Sequence, residues 1–320
     1  MPLDPDAEAF LRARAEAGPS LPLSVLGASK VREVMAAATA SAPSPRPIQH
    51  VLDHQVPGPV GAIPIRVYRP SDADALPVVV YLHGGGWTFG SLDAVDALCR
   101  ELSVQVECVV VSVDYRLAPE HKFPVPLDDA YAALRWVAAH GDLLGAEADR
   151  LAVAGDSAGA NLAVAAALRA RDDAVGPPIS ALVLAYPVTE YAVARPSWVD
   201  NGNGPVLTAD DVEWLWDQYL RDESDRSDPR AVPSLAHSLS GLPPTFVLSA
   251  EYDLLRDDGE HFAQSLADAG VPTEVERYLG AFHGFFTMVT TLRRAEEAVA
   301  DAADFLRRRL GATPGLSKGS

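Results

Sequence analysis

The sequence predicts an α/β fold, with a mostly parallel central sheet covered by helices on both faces. Three observations carry that expectation. The runs PVVVYL, LAVAG and ALVLAYP are rich in Val, Leu and Ala, the composition of short strands buried on both faces. Between such runs lie segments whose apolar residues recur at helical spacing, so strand and helix alternate along the chain. The length of 320 residues, with 48% hydrophobic and 22% charged residues, suits one large α/β domain with small additions.

Taken in order, residues 1–47 are rich in Ala and Pro, show helical spacing in VREVMAAATA and end in the breaker cluster SAPSPRP. They predict a helical arm on a short linker. Residues 48–186 form the first part of the α/β core. There QHVLDHQVP, IPIRVYRP, PVVVYLH and VECVVVSVDYR read as strands, the early ones joined by turns short enough for an antiparallel edge. The helix LDDAYAALRWVAAHGDLL, the strand RLAVAGD, the helix AGANLAVAAALRARDD and the strand SALVLAYP follow. Residues 187–240 interrupt the alternation with an aromatic-rich amphipathic helix, DVEWLWDQYL, between Gly/Pro/Asp loops. Core pattern resumes over 241–312 with strand PTFVLSAE, helix DDGEHFAQSLADAG, strand TEVERYL and helix TLRRAEEAVADAADFLRRRL. Residues 313–320, TPGLSKGS, are expected to be a disordered tail. As an exposed edge, TEVERYL is a candidate to pair two subunits in a homodimer.

A net charge of −18 opposes nucleic acid and anionic membrane as partners, since both need Lys/Arg clusters. The two cysteines, Cys99 in a helix and Cys108 in a strand, read as small apolar fillers and not as a disulfide framework or metal site. MPLDPDAEAF carries acids where a signal peptide carries bases, and no apolar run approaches the about 18 residues of a membrane span. A cytoplasmic protein is the expectation.

In open parallel sheets ligands bind beyond the carboxyl ends of the strands. Four such ends carry unusual residues: His83 to Gly86, Gly155 to Gly159, Glu251 to Asp253, and Phe282 to Gly284. GDSAG at 155–159 is a G-x-S-x-G between a strand and a helix, the context of a strained turn that projects a serine hydroxyl from the sheet. Ser157 is therefore the candidate nucleophile, and it needs a base fixed by a carboxylate. Of the later histidines, His261 falls within a helical pattern and His237 in a polar linker, which leaves His283 as the base. Asp253, directly after a strand, is the candidate acid; Glu251 is its competitor, and Asp257 and Asp258 read as caps of the next helix.

The glycine run of YLHGGGWTFG costs chain entropy that a simple turn does not require. It is explained if Gly85 and Gly86, with Ala158 from the serine turn, donate N–H groups to an oxyanion formed in acyl transfer. Gly84 then serves the turn, His83 holds the loop, and Asp156 supports its neighbours. Trp87, Tyr186 and Phe285 are candidate pocket residues, together with Phe89, Trp214 and Trp216.

HGGGW, VDYRLAPEHKFP, GDSAGAN, EYDLLRDDGE and FHGFF, spread over residues 83–286, resemble the motifs of bacterial hormone-sensitive-lipase-like carboxylesterases of the G-D-S-A-G subgroup. The resemblance implies an α/β-hydrolase fold whose helical cap combines the arm and the 187–240 insertion. It also implies a cofactor-free, metal-free serine carboxylesterase for short- to medium-chain acyl esters. Alternatives on the same triad are amide hydrolysis, deacetylation or acyl transfer; a non-catalytic small-molecule binder is the remaining one. Two departures stand out: Leu254 replaces the proline of the usual D-P-L-x-D, and Ala160 follows the serine turn where glycine is common. The first puts the rigidity of the Asp253 loop in question. In YRLAPE, Arg116 and Glu120 are expected to brace loops.

Overall fold

The computed structural model describes residues 2–18, 21–191 and 195–311; the expected tail at 313–320 lies outside them. Helices α1 (Pro5–Glu16) and α2 (Leu23–Ala40) form the arm. The core then runs β1 (His50–Gly58), β2 (Gly61–Arg69), β3 (Leu76–Leu82), α3 (Asp96–Val106), β4 (Val109–Val113), α4 (Val125–His140), β5 (Ala146–Asp156), α5 (Ala158–Asp172) and β6 (Ala181–Ala185). The insertion carries α6 (Pro196–Asn201) and α7 (Ala209–Tyr219), after which β7 (Thr245–Tyr252), α8 (Arg256–Asp268), β8 (Thr273–Phe282) and α9 (Arg293–Leu310) complete the core. Cys108 sits just ahead of β4, not within it, because the strand ladder begins at Val109.

One sheet in the order β1-β2-β4-β3-β5-β6-β7-β8 organises the chain. β1, β2 and β4 pair antiparallel at one edge, and every other pairing is parallel. The period-two alternation of strands splits the core between the two faces. Val78, Val80 and Leu82 of β3 join the cluster under α4 and α5, whereas Val79 and Tyr81 join the cluster under α3 and α9. β8 is the other edge, as TEVERYL predicted.

The arm and the insertion meet above the carboxyl ends of the strands. Leu23 N–H donates to the Asp211 carboxylate of α7 at 3.0 Å, while Asp4 at the start of α1 pairs with Arg293 and Arg294. Asn161 of α5 holds both ends of the insertion, donating to Val188 O and Ala231 O. Asp257 and Asp258 do not cap α8 as expected. Leu255 holds the N-cap position and both aspartates fall inside the first turn, where their carboxylates accept instead from Ser197 N and from Thr189 N and Oγ1 of the insertion. Among the described residues no helix is long and apolar enough to cross a membrane.

Candidate active site

β5 ends at Asp156 and α5 begins at Ala158, so Ser157 alone makes the turn, at φ 53° and ψ −119°. The left-handed φ of a non-glycine residue is a strained conformation that its surroundings must enforce. They do so through closeness: a Cβ at Gly159 would lie 2.0 Å from Leu82 O, and one at Gly155 2.6 Å from the Gly159 carbonyl carbon. Ser157 N–H is fixed by Ala185 O at 2.8 Å.

The residues that the sequence singled out converge here from three strand ends. His283 Nε2 lies 3.0 Å from Ser157 Oγ, and its Nδ1 lies 2.7 Å from Asp253 Oδ2. An ionised carboxylate only accepts, so Nδ1 carries the proton and Nε2 is left to accept from the serine hydroxyl. Asp253 is buried, and its Oδ1 takes the Leu255 N–H at 2.9 Å. Glu251, the competitor, is engaged elsewhere, accepting from Gly280 N at 2.8 Å. The missing proline at 254 is offset by the insertion. Ser197 Oγ donates to Leu254 O at 2.7 Å and Asn201 Nδ2 to Asp253 O at 3.1 Å, which ties the acid loop down.

Peptide planarity orients the candidate oxyanion donors, because each N–H points opposite to the carbonyl of the preceding residue. His83 Nδ1–H donates to Gly84 O at 2.8 Å, fixing the plane that carries Gly85 N–H. Thr88 and Phe89 N–H donate to Gly85 O at 3.0 and 2.9 Å, fixing the plane that carries Gly86 N–H. Gly84 N–H is spent on Asp156 Oδ1 at 2.9 Å, and Tyr81 OH reaches the same oxygen at 2.7 Å. Burial raises the Asp156 carboxyl, against the pull of these two donors. The left-handed φ of Gly85 (110°) and Gly86 (55°) is what the turn demands of glycine. Ala158, first in α5, has no intrahelical acceptor for its N–H.

His83 stacks on Tyr115 at 4.3 Å, and Tyr115 OH donates to His83 O. Burial lowers its pKa to about 4, so the ring is a neutral donor and not a second base. An unfolded histidine takes its proton near pH 6.5, which the folded ring refuses, so stability falls as pH drops from about 6.5 towards 4. We expect His83→Gln to lose about 2–3 kcal/mol less than wild type between pH 7 and pH 4.5 in urea unfolding. Parallel losses in the two proteins would reject this origin.

A cavity of about 310 Å³ opens on Ser157 and His283. Trp87 and Phe89 line it as expected, but Tyr186 and Phe285 do not. Tyr186 lies beneath the imidazole, centroids 4.7 Å apart, and Phe285 packs behind it, both fully buried. Trp216 is likewise buried, against Trp87, and Trp214 is not in the lining. The wall comes instead from Phe10, Leu23 and Met35 of the arm and from Leu207, Val212 and Leu215 of the insertion. None of them is among the candidate pocket residues read from the sequence. Among the described residues no three His, Cys, Asp or Glu side chains are grouped to hold a metal ion.

A hydroxyl on a strained strand-to-helix turn, an imidazole and a buried carboxylate at consecutive hydrogen-bond distances define the class of α/β-fold serine hydrolases. Residues 79–287 match the family described as the alpha/beta hydrolase fold. Carboxylic ester hydrolase LipN of Mycobacterium tuberculosis is 46% identical over 263 residues, 80% of this chain and 70% of the relative. Ethyl acetate hydrolase of Pseudomonas putida is 36% identical over 97% of this chain and its own full length. A hyperthermophilic esterase from the archaeon Pyrobaculum calidifontis superposes with a TM-score of 0.90 at 41% identity, covering 96% of this chain and 99% of the other. The chain belongs to this α/β-hydrolase family, in its hormone-sensitive-lipase-like branch, and is a serine carboxylesterase.

Proposed function

We propose that Ser157, His283 and Asp253 form the catalytic triad, that Gly85, Gly86 and Ala158 form the oxyanion hole, and that the natural substrates are short- to medium-chain acyl esters. His283 Nε2 takes the serine proton as Oγ attacks the ester carbonyl, and the three N–H groups receive the charge on the oxygen. The tetrahedral intermediate collapses to the acyl-enzyme as His283 returns the proton to the leaving alcohol. Water then enters, gives its proton to His283 and attacks the acyl carbon; collapse releases the acid and restores the hydroxyl. The observation that carries the reading is the unbroken chain of 3.0 Å and 2.7 Å contacts from Ser157 through His283 to Asp253.

The substrate range rests on the cavity, whose apolar walls the arm and the insertion supply together, as a cap would. A cavity of about 310 Å³ suits acyl groups of about two to eight carbons. The relative named for ethyl acetate hydrolysis agrees with that choice. With p-nitrophenyl esters from acetate to palmitate, kcat/KM is expected to peak at or below eight carbons and to fall at least about tenfold by palmitate. Activity that climbs steadily to the long chains would reject it. Product analysis with anilides and with added alcohols separates amide hydrolysis and acyl transfer from simple hydrolysis.

The net charge of −18 and the two free, buried cysteines favour a cytoplasmic protein without nucleic-acid or anionic-membrane partners. The exposed β8 edge favours a homodimer built by strand pairing. Sedimentation at micromolar concentration is expected to report a dimer, and a monomer would exclude it.

A further inference from the structure

The turn that presents Gly85 and Gly86 is held from outside the core by one side chain of the arm. Arg32 of α2 donates through Nε to Thr88 O at 2.8 Å and through Nη2 to Ala118 O at 2.7 Å. Its two terminal nitrogens also meet the Glu120 carboxylate at 2.9 and 2.7 Å, and that ion pair brings the Glu120 pKa down to about 2. A planar guanidinium with donors in a fixed fork sets the mutual placement of the groups it bridges, which a single-point ammonium does not.

Thr88 is the residue on which this matters. Its N–H donates to Gly85 O and its hydroxyl to Gly86 O at 3.0 Å, so its position sets the peptide that aims Gly86 N–H. The neighbouring Trp87 O accepts from Ala118 N at 2.8 Å, which makes the 118 loop the other wall of the turn. Arg32 bridges both walls. Glycines cannot hold this geometry themselves, since Gly85 and Gly86 bring conformational freedom and no side chain.

We propose that Arg32 is a positioning residue for the oxyanion hole, so that docking of the arm does more than enclose the cavity: it sets the aim of Gly86 N–H. The inference rests on the assignment of Gly85, Gly86 and Ala158 as oxyanion donors. An enzyme whose donors are misaimed loses transition-state stabilisation while its ground-state binding stays, because the donors meet their partner only when charge develops on the carbonyl oxygen.

The test compares wild type, Arg32→Gln, Arg32→Lys and Asp4→Asn, the last loosening the far end of the arm. Each is assayed for kcat and KM on p-nitrophenyl butyrate, for affinity towards a trifluoromethyl ketone that adds reversibly to serine, and for melting temperature. Arg32→Gln is expected to lower kcat and the ketone affinity together by about 10- to 100-fold with KM within about threefold. Arg32→Lys keeps the charge beside Glu120 but not the fork, and is expected to follow it. Asp4→Asn is expected to change KM and melting temperature without a matching loss of ketone affinity. Should Arg32→Gln fail to fold, Arg32→Lys is judged by the same rule. Ketone affinity within about threefold of wild type in a folded Arg32 variant, or an equal loss in Asp4→Asn, overturns the inference. Absence of tight ketone binding by wild type itself overturns instead the oxyanion assignment on which it rests.

Discussion

Asp253→Asn is expected to lower kcat for ester hydrolysis by about 10⁴-fold with KM nearly unchanged, as the matching change does in a serine protease. The shape of the loop survives, because Leu254 O and Asp253 O are held by Ser197 and Asn201. What changes is the direction of one hydrogen bond. An amide that accepts from Leu255 N–H through its oxygen presents its NH₂ to His283 Nδ1, which must then accept. The ring proton moves to Nε2, where it faces a serine hydroxyl that has no base left to take its proton. Steady-state kinetics on p-nitrophenyl butyrate, with circular dichroism as the control for folding, measures it. A loss smaller than about tenfold would mean that the carboxylate does not set the tautomer.

Ser157→Ala is expected to cost more, about 10⁵- to 10⁶-fold in kcat, since it removes the oxygen proposed to carry the acyl group. The substitution deletes one oxygen and leaves the turn intact: the backbone bond from Ser157 N–H to Ala185 O and the glycines at 155 and 159 do not depend on the hydroxyl. The variant is therefore expected to bind substrate with an affinity near that of wild type. Any residual hydrolysis is expected to come from the proposed oxyanion donors acting on bound ester and water, and to show no burst of p-nitrophenol because no acyl-enzyme forms. The doubly substituted protein Ser157→Ala/Asp253→Asn is expected to be scarcely slower than Ser157→Ala alone, because residues that act as a unit are not additive.

Much of this site was legible in the sequence for a mechanical reason. GDSAG between a strand and a helix fixes where a serine must stand, and a glycine run after a buried strand marks a tight turn with candidate backbone donors, because both depend on local chain geometry. His283 followed by elimination among later histidines. Choosing Asp253 over Glu251 was harder, since both lie at the end of β7; the structure separates them because β7 ends at Tyr252 and Asp253 leaves the ladder, while Glu251 is held to Gly280 N–H across to β8.

Other parts depended on contacts distant in sequence. Tyr186 and Phe285 have the aromatic character of pocket residues, but which side of the imidazole they occupy is decided by how β6 and β8 present their ends, and both fall on the buried side. Asp257 and Asp258 read as helix caps, but α8 starts at Arg256 with Leu255 at its cap, so both lie inside the first turn and face donors of the insertion instead. Arg32 is not singled out in the sequence. Its partners lie 56 residues away at Thr88 and 88 away at Glu120, and no local pattern marks such a bridge.

The central claim is that ester hydrolysis passes through an acyl-enzyme on Ser157. The most direct measurement is mass spectrometry of the protein after brief reaction with a p-nitrophenyl alkylphosphonate, which leaves a stable mimic of the tetrahedral adduct, with peptide mapping of the modified residue. The account predicts one adduct per chain on the peptide carrying Ser157, release of one equivalent of p-nitrophenol, parallel loss of esterase activity and no adduct in Ser157→Ala. An adduct on another residue, or esterase activity that survives full modification of Ser157, would contradict it.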